Sequence, residues 1–333
     1  MADLALFQDN FHLTTLTQAI NNVAVPSKFL SGLGLFEESP IDTTTVAVEI
    51  QDGEIVLVAN KPRGADGTAV GGSLRGAPII LTASHLPATA DILADVIQNI
   101  REFGTGSALE SLQTKVDEKL KYLRKSIDAT LEYHRWGALN GKVLDADGTT
   151  VLRDLFNVFG LTRPSDITIN FGAADVDKQF MTATDVVDEA LNGAGRNGFI
   201  VLCGKNFNKE FHGSKALKDD VRLCKEGEQA RNDLRESYEY KNIRFYRCVE
   251  KLAGHLMVPD NEAIMIPTGV DALLQMRFAP ANYNETVNTN GLPYYVNTEP
   301  KKFNKGFDFE AQSNPLTYCS RPHVIRRLKL AGA

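Results

Sequence analysis

The chain has 333 residues, about twice the ~150 of a common domain, so two or three lobes are expected. With 43% hydrophobic and 23% charged residues it can bury a sizeable core, and a net charge of −6 argues against a dedicated nucleic-acid binder. No run approaches the ~20 apolar residues of a membrane-spanning helix, and Met1–Asp9 lacks the basic start and apolar run of a secretory signal.

Residues 1–45 read as an arm. Leu13, Leu16 and Ile20 give a short apolar stripe, and Pro26, Gly32, Gly34 and Pro40 then interrupt regular structure. So short a piece cannot bury a core alone and is expected to lie on something else. Thr44 to Asn60 carries two β-rich runs broken at Asp52-Gly53, a hairpin signal. Lys61 to Gly76 then holds five glycines in sixteen residues, and strand-like sequence returns at Ala77 to Thr82. Strand, glycine-rich tip, strand describes a flap whose tip is ordered by a neighbouring molecule or not at all.

A short amphipathic helix is expected over Ala90 to Phe103, with Leu93, Val96, Ile97 and Ile100 on one side. The strongest periodicity follows: Leu109, Leu112, Val116, Leu120, Leu123, Ile127 and Leu131 recur at helical steps of three and four. Ser107 suits the N-cap with Glu110 at the capping-box position, and Gly137 suits the stop. That predicts a rod of about 40 Å. Asn140 to Gly148 reads as a hairpin. Beyond 150, helices are expected at Asp175–Leu191 and Lys215–Leu234, and strands at Phe199–Cys203, Ile243–Val249, Ala263–Ile266 and Pro322–Leu330. The elements from Asp175 to Ile266 make a compact α/β lobe, and Pro322–Leu330 reads as a separate final strand.

Catalytic and binding motifs are tested by spacing. Gly137 to Lys142 is one residue short of a phosphate-binding loop, lacks its hydroxyl and follows a helix. Gly32-Leu-Gly34 lacks the third glycine and the preceding strand of a dinucleotide site. The six histidines are dispersed, and His134 on the apolar stripe reads as a packed core or capping residue. Cys203, Cys224, Cys248 and Cys319 lie 21, 24 and 71 residues apart, too scattered for zinc, and read as reduced core residues. No catalytic, cofactor or metal residue is nominated. The basic cluster Arg321, Arg326, Arg327 and Lys329 reads as a strand face or a subunit contact rather than a nucleic-acid site.

The order of parts resembles the tailed-bacteriophage major capsid proteins of the lambda-type capsid protein E family. The resemblance rests on Leu109 through Tyr133-His-Arg-Trp-Gly-Ala-Leu-Asn-Gly-Lys142, on Arg75-Gly-Ala-Pro-Ile-Ile and on Arg321-Pro-His-Val-Ile. It implies an α+β chain with the Hong Kong 97-type fold: an N-terminal arm (1–45), an extended β-hairpin loop (46–88), a peripheral domain with a long spine helix (89–150), an axial α/β domain (151–290) and a return to the peripheral domain (291–333). The implied role is a subunit of pentamers and hexamers enclosing double-stranded DNA, with a separate scaffolding protein, a portal and a decoration protein as partners. Contacts are assigned to Lys61, Arg63 and Arg75 in the flap and to Arg326 and Arg327 in the last strand. A nanocompartment shell and an α/β enzyme with the flap as its lid are the competing readings.

If the flap tip packs on nothing of its own, deleting Arg63–Gly72 leaves the subunit's thermal unfolding midpoint nearly unchanged and abolishes particle formation. Loss of soluble folded subunit in the deletion would count against the flap assignment.

Overall fold

The structure, a computed structural model, describes residues 12–26, 28–48, 79–95, 108–173, 175–218, 237–252 and 254–332. In chain order the elements are α1 (Leu13–Asn22), α2 (Phe29–Leu33), β1 (Glu37–Pro40), β2 (Thr45–Val48), β3 (Ile79–Thr82), β4 (Leu86–Leu93), α3 (Ala108–Leu139), β5 (Lys142–Leu144), β6 (Val151–Asp154), α4 (Leu155–Val158), β7 (Ile167–Ile169), α5 (Val176–Leu191), β8 (Gly198–Cys203) and α6 (Lys205–Gly213). There follow β9 (Ser237–Tyr240), β10 (Ile243–Arg247), β11 (Lys251–Leu252), β12 (His255–Leu256), β13 (Glu262–Thr268), β14 (Leu274–Phe278), β15 (Tyr295–Pro300), β16 (Gly306–Ser313), β17 (Pro315–Cys319) and β18 (Arg326–Leu330).

Two compact units emerge. The first comprises the chain up to Val46, Ile80–Arg135 and Leu274–Tyr318. Its spine is α3, whose Val116, Leu120, Leu123, Ile127 and Leu131 are all buried, as their spacing requires. Beside it β15, β16 and β4 form an antiparallel sheet. A second sheet has the order β1-β14-β17, with β1 parallel to β14. β2 and β3, the two bases of the flap, pair with each other. The flap tip, with Asp52-Gly53, Lys61, Arg63 and Arg75, lies outside the described residues.

The second unit includes Trp136–Leu273 and Cys319 onward. Its six-stranded mixed sheet has the order β7-β18-β13-β8-β10-β9. Gly198-Phe-Ile-Val-Leu-Cys203 is an unbroken apolar run because every residue of β8 is buried, the pattern of a strand covered on both faces. Phe171, Phe180, Phe207, Phe211 and Phe245 gather in one aromatic cluster, with Phe211 and Phe245 stacked at 4.1 Å between ring centroids. Cys203, Cys248 and Cys319 are buried thiols; Cys224 lies outside the described residues.

Several expectations need correcting. Ala90 to Leu93 is strand, not helix. It continues β4, whose side chains alternate inward and outward and whose residues pair with Gly306 to Phe309 of β16; a long-range partner overrides local helix propensity. The remainder of that expected helix, 96–103, lies outside the described residues. The spine helix does not stop at Gly137 but runs on to Leu139. Gly137 is needed there for another reason: a Cβ would sit 2.8 Å from the Cα of Val143, where β5 crosses the helix end. The turn itself is made by Gly141, whose φ of +76° is left-handed. Residues 322–324 form a 3₁₀ turn, and only Arg326–Leu330 is strand. That strand, expected to rejoin the lobe of the spine helix, lies between β13 and β7 in the second unit's sheet. Helix α6 was not anticipated, and the expected helix from Lys215 is described only as far as Lys218.

Gly141→Ala and Gly34→Ala separate backbone strain from steric exclusion. Both positions have left-handed φ, but a Cβ at Gly34 meets nothing within 4 Å, whereas at Gly141 it falls 2.2 Å from the ring of Phe156. Gly34→Ala is expected to cost about 1–2 kcal/mol from the backbone alone, and Gly141→Ala distinctly more, as read from urea unfolding of the unassembled subunit.

Candidate functional site: a spine-helix clamp and the assembly surfaces

The arm helices are short, and each has one end without a local cap. α1 carries no basic residue in its last turn. α2 has no acidic residue in its first turn and no side-chain bond from its N-cap, Lys28. Helix ends leave carbonyls and amides unsatisfied and carry partial negative and positive charge respectively. Both deficits are met by α3. The Nη1 of Arg124 donates to the carbonyls of Ile20, Asn21 and Val23 at 2.6, 2.8 and 2.7 Å. Eight residues on, about 12 Å along the axis, the carboxylate of Glu132 accepts from the amides of Leu30 at 2.5 Å and Ser31 at 3.3 Å. A cation closes the C-terminal end of one arm helix, and an anion opens the next.

Supporting groups hold each charge in place. The guanidinium of Arg124 lies 4.8 Å from the ring centroid of Tyr294 and 3.8 Å from the carboxylate of Asp128. The Tyr294 hydroxyl donates to Asp128, and its backbone carbonyl accepts from Asn21 at 3.0 Å. Burial pushes the Tyr294 phenol well above its ordinary pKa, and the neighbouring Asp128 charge adds to the shift, so the hydroxyl stays a donor. Glu132 is wholly buried and pairs with Arg135 at 3.2 Å, which reaches on to Glu38 of β1 at 2.6 Å. Leu16, Ile20, Leu30 and Phe36 are buried in the same unit. The arm, expected to lie on something other than itself, packs in its described residues on the spine helix of its own chain.

Arg124, Asp128 and Glu132 escaped the reading of the sequence, although with Arg135 they form a row of charges, positive at both ends and negative between, at steps of 4, 4 and 3 beside the apolar stripe. A charged row adjoining a core stripe normally reads as a solvated flank; what it binds is a hundred residues away.

The basic cluster in the last strand is largely engaged within the sheet. Arg327 lies 3.5 Å from Glu262 and donates to Asn140 at 3.3 Å. Lys329 binds Asp166 at 2.7 Å and Glu262 at 3.6 Å, contacts that raise its pKa. Arg321 and His323 reach the carbonyls of Leu191 and Ala190 at the C-terminal end of α5. Arg326 is half-buried, and its guanidinium pKa is lowered by that burial. Lys61, Arg63 and Arg75 lie outside the described residues. Among the described residues no cluster of His, Cys, Asp and Glu could hold a metal, and no helix is long and apolar enough to cross a membrane.

Residues 12–330 match the family described as phage major capsid protein E. The chain belongs to that family. It is 25% identical to the major capsid protein of Salmonella phage Felix O1 over 96% of each chain. The fold matches the crystal structure of a prophage protein of E. coli CFT073 assigned as a capsid protein, with a TM-score of 0.58 at 12% identity, covering 96% of this chain and 99% of that one. It also matches the mature capsid subunit of bacteriophage PhiM1, with a TM-score of 0.50 at 12% identity over 94% and 89% of the two chains. The α+β, Hong Kong 97-type fold expected from the resemblance is therefore the fold of this capsid protein, and its place is the virion shell.

In this capsid protein the clamp predicts a sharp contrast between two carboxylates bound to one arginine. Glu132→Ala removes the buried one of Arg135's two carboxylate partners and the acceptor of two arm amides, and should destabilise the subunit by about 3–5 kcal/mol. Glu38 is 46% exposed in its side chain, so Glu38→Ala should cost below about 1 kcal/mol. Chemical denaturation of unassembled subunits measures both; equal losses would refute the clamp.

Proposed function

We propose that this chain assembles as pentamers and hexamers that close into an icosahedral head around double-stranded phage DNA. The match of residues 12–330 to the phage major capsid protein E family carries this reading. It also favours a phage head over a nanocompartment shell. In this account the flap spanning 46–88 lies across a neighbouring subunit, with Lys61, Arg63 and Arg75 on its contact surface. Arg327 stands nearer a structural role, since Glu262 and Asn140 of its own chain already engage it, and Arg326 is kept as a contact residue. The net charge of −6 suits an inner wall that touches packaged phosphates weakly, because tight neutralisation would hold the genome against ejection.

A separate scaffolding protein, a portal and a decoration protein complete the assembly in this reading. The chain performs no catalysis: its contribution is surface, and much of its final stability belongs to contacts between copies.

Expression with and without the neighbouring phage genes, followed by light scattering and negative-stain microscopy, tests the proposal. Closed isometric shells, or five- and six-membered capsomers, are expected. A persistent monomer or dimer with the scaffolding gene supplied would contradict it.

A further inference from the structure

The turn joining β15 to β16 carries Phe303, an aromatic side chain that is 90% exposed. Its backbone is left-handed, at φ +62° and ψ +23°, a region that bulky residues enter rarely. Glycine would fit this turn better on both counts, since it accepts the conformation and exposes no ring. Strained conformations of this kind persist where the surroundings impose them and cluster at sites of function. The base of the turn is rigid: β15 and β16 pair from Tyr295 to Pro300, and Lys301 binds Asp91 at 3.2 Å and Asp308 at 2.6 Å. Leu93, at the same end of the sheet, is also partly exposed. Lys302 and Lys305 flank the ring, with the Lys305 ammonium 6.0 Å from its centroid.

The opposite end of the same sheet carries a complementary feature. A cleft of about 450 Å³ lies at the foot of the β2–β3 ribbon, lined by Asp42, Ser84, Pro280, Ala281, Val287 and Asn314 among others. It is large enough for a phenyl ring, and Val287 is 64% exposed beside it. Asp42 is the charged residue in its lining and is exposed, a partner for a lysine arriving with the ring. The eight residues of β16 separate the turn from Asn314, about 25 Å at the usual rise of a strand. Phe303 therefore cannot reach the cleft of its own chain.

We propose that Phe303 of one copy inserts into this cleft of a second copy, with Lys302 or Lys305 against Asp42. A knob at one end of a sheet and a socket at the other make a head-to-tail contact, which propagates through rings or lattices instead of stopping at a dimer. The rigid turn holds the ring in its bound position beforehand, which lowers the entropy cost of docking. This contact rests on the shell role proposed above.

The test compares wild type with Phe303→Gly and with a cysteine pair that keeps the ring, Lys302→Cys with Val287→Cys. Phe303→Gly should leave the subunit's unfolding midpoint equal or higher, because the turn's strain is relieved. Shell yield at a fixed subunit concentration should fall by about tenfold or more, as for loss of a central aromatic anchor. Shells of the double-cysteine variant treated with a short bis-maleimide should give a ladder of covalent multimers on denaturing gels, absent from either single variant. Phe303→Gly shells at wild-type yield, or double-cysteine shells that stay monomeric on the gel, would overturn the contact while leaving the shell role intact. Failure of the wild type to form shells under conditions that supply its scaffold would overturn both.

Discussion

The described part of the first unit depends on charges that the arm helices lack and the spine helix supplies. An isolated helix of ten residues, or of five, is marginal in water because nucleation costs more than so few bonds return. α1 and α2 have those lengths, and their apolar contribution is small: Leu16 and Ile20 from one, Leu30 from the other. Capping by Arg124 and Glu132 satisfies backbone groups that water would otherwise hold, and it does so from a rigid rod whose own register is fixed by its buried stripe. A two-turn offset along α3 then sets where the first arm helix ends and the second begins. The tie between Thr17 and the amide of Val296, at 3.2 Å, extends the same order into β15.

This arrangement divides labour in a shell subunit. Surfaces that define the subunit are satisfied internally, by the clamp in the first unit and by the fully buried β8 and its aromatic cluster in the second. Even the conspicuous basic strand is largely committed to Glu262 and Asp166 within its sheet. What remains open are projections and recesses, including the exposed Phe303 turn and the cleft beside Val287. A subunit built this way can fold before it assembles, and assembly can then act on preformed surfaces, at lower entropic cost than ordering chain segments at each contact.

Legibility in the sequence followed the range of the interaction. The spine helix could be read from Val116 to Leu131 because periodic burial on one rod is a local pattern. β8, β10 and β13 were visible as apolar runs, and the turn at Gly141 as helix exit into hairpin. Ala90–Leu93 was misread because only its pairing with Gly306–Phe309 makes it a strand. α6 was invisible because Lys205 to Gly213 offers just Phe207 and Phe211 to a periodicity search. The clamp was the least legible part. Nothing near Arg124 or Glu132 in sequence indicates an arm, and nothing in the arm says that its missing caps lie a hundred residues away. The family resemblance succeeded where local reading failed because it drew on the order of parts along the whole chain.

Hydrogen–deuterium exchange on unassembled subunits tests the central claim most directly. If the spine helix organises the arm within one chain, the amides of Leu30 and Ser31 and those of α1 exchange slowly before any shell forms, at rates close to those of the assembled particle. Exchange of the arm at unstructured rates until shells appear would show that neighbouring subunits, and not Arg124 and Glu132, create its order.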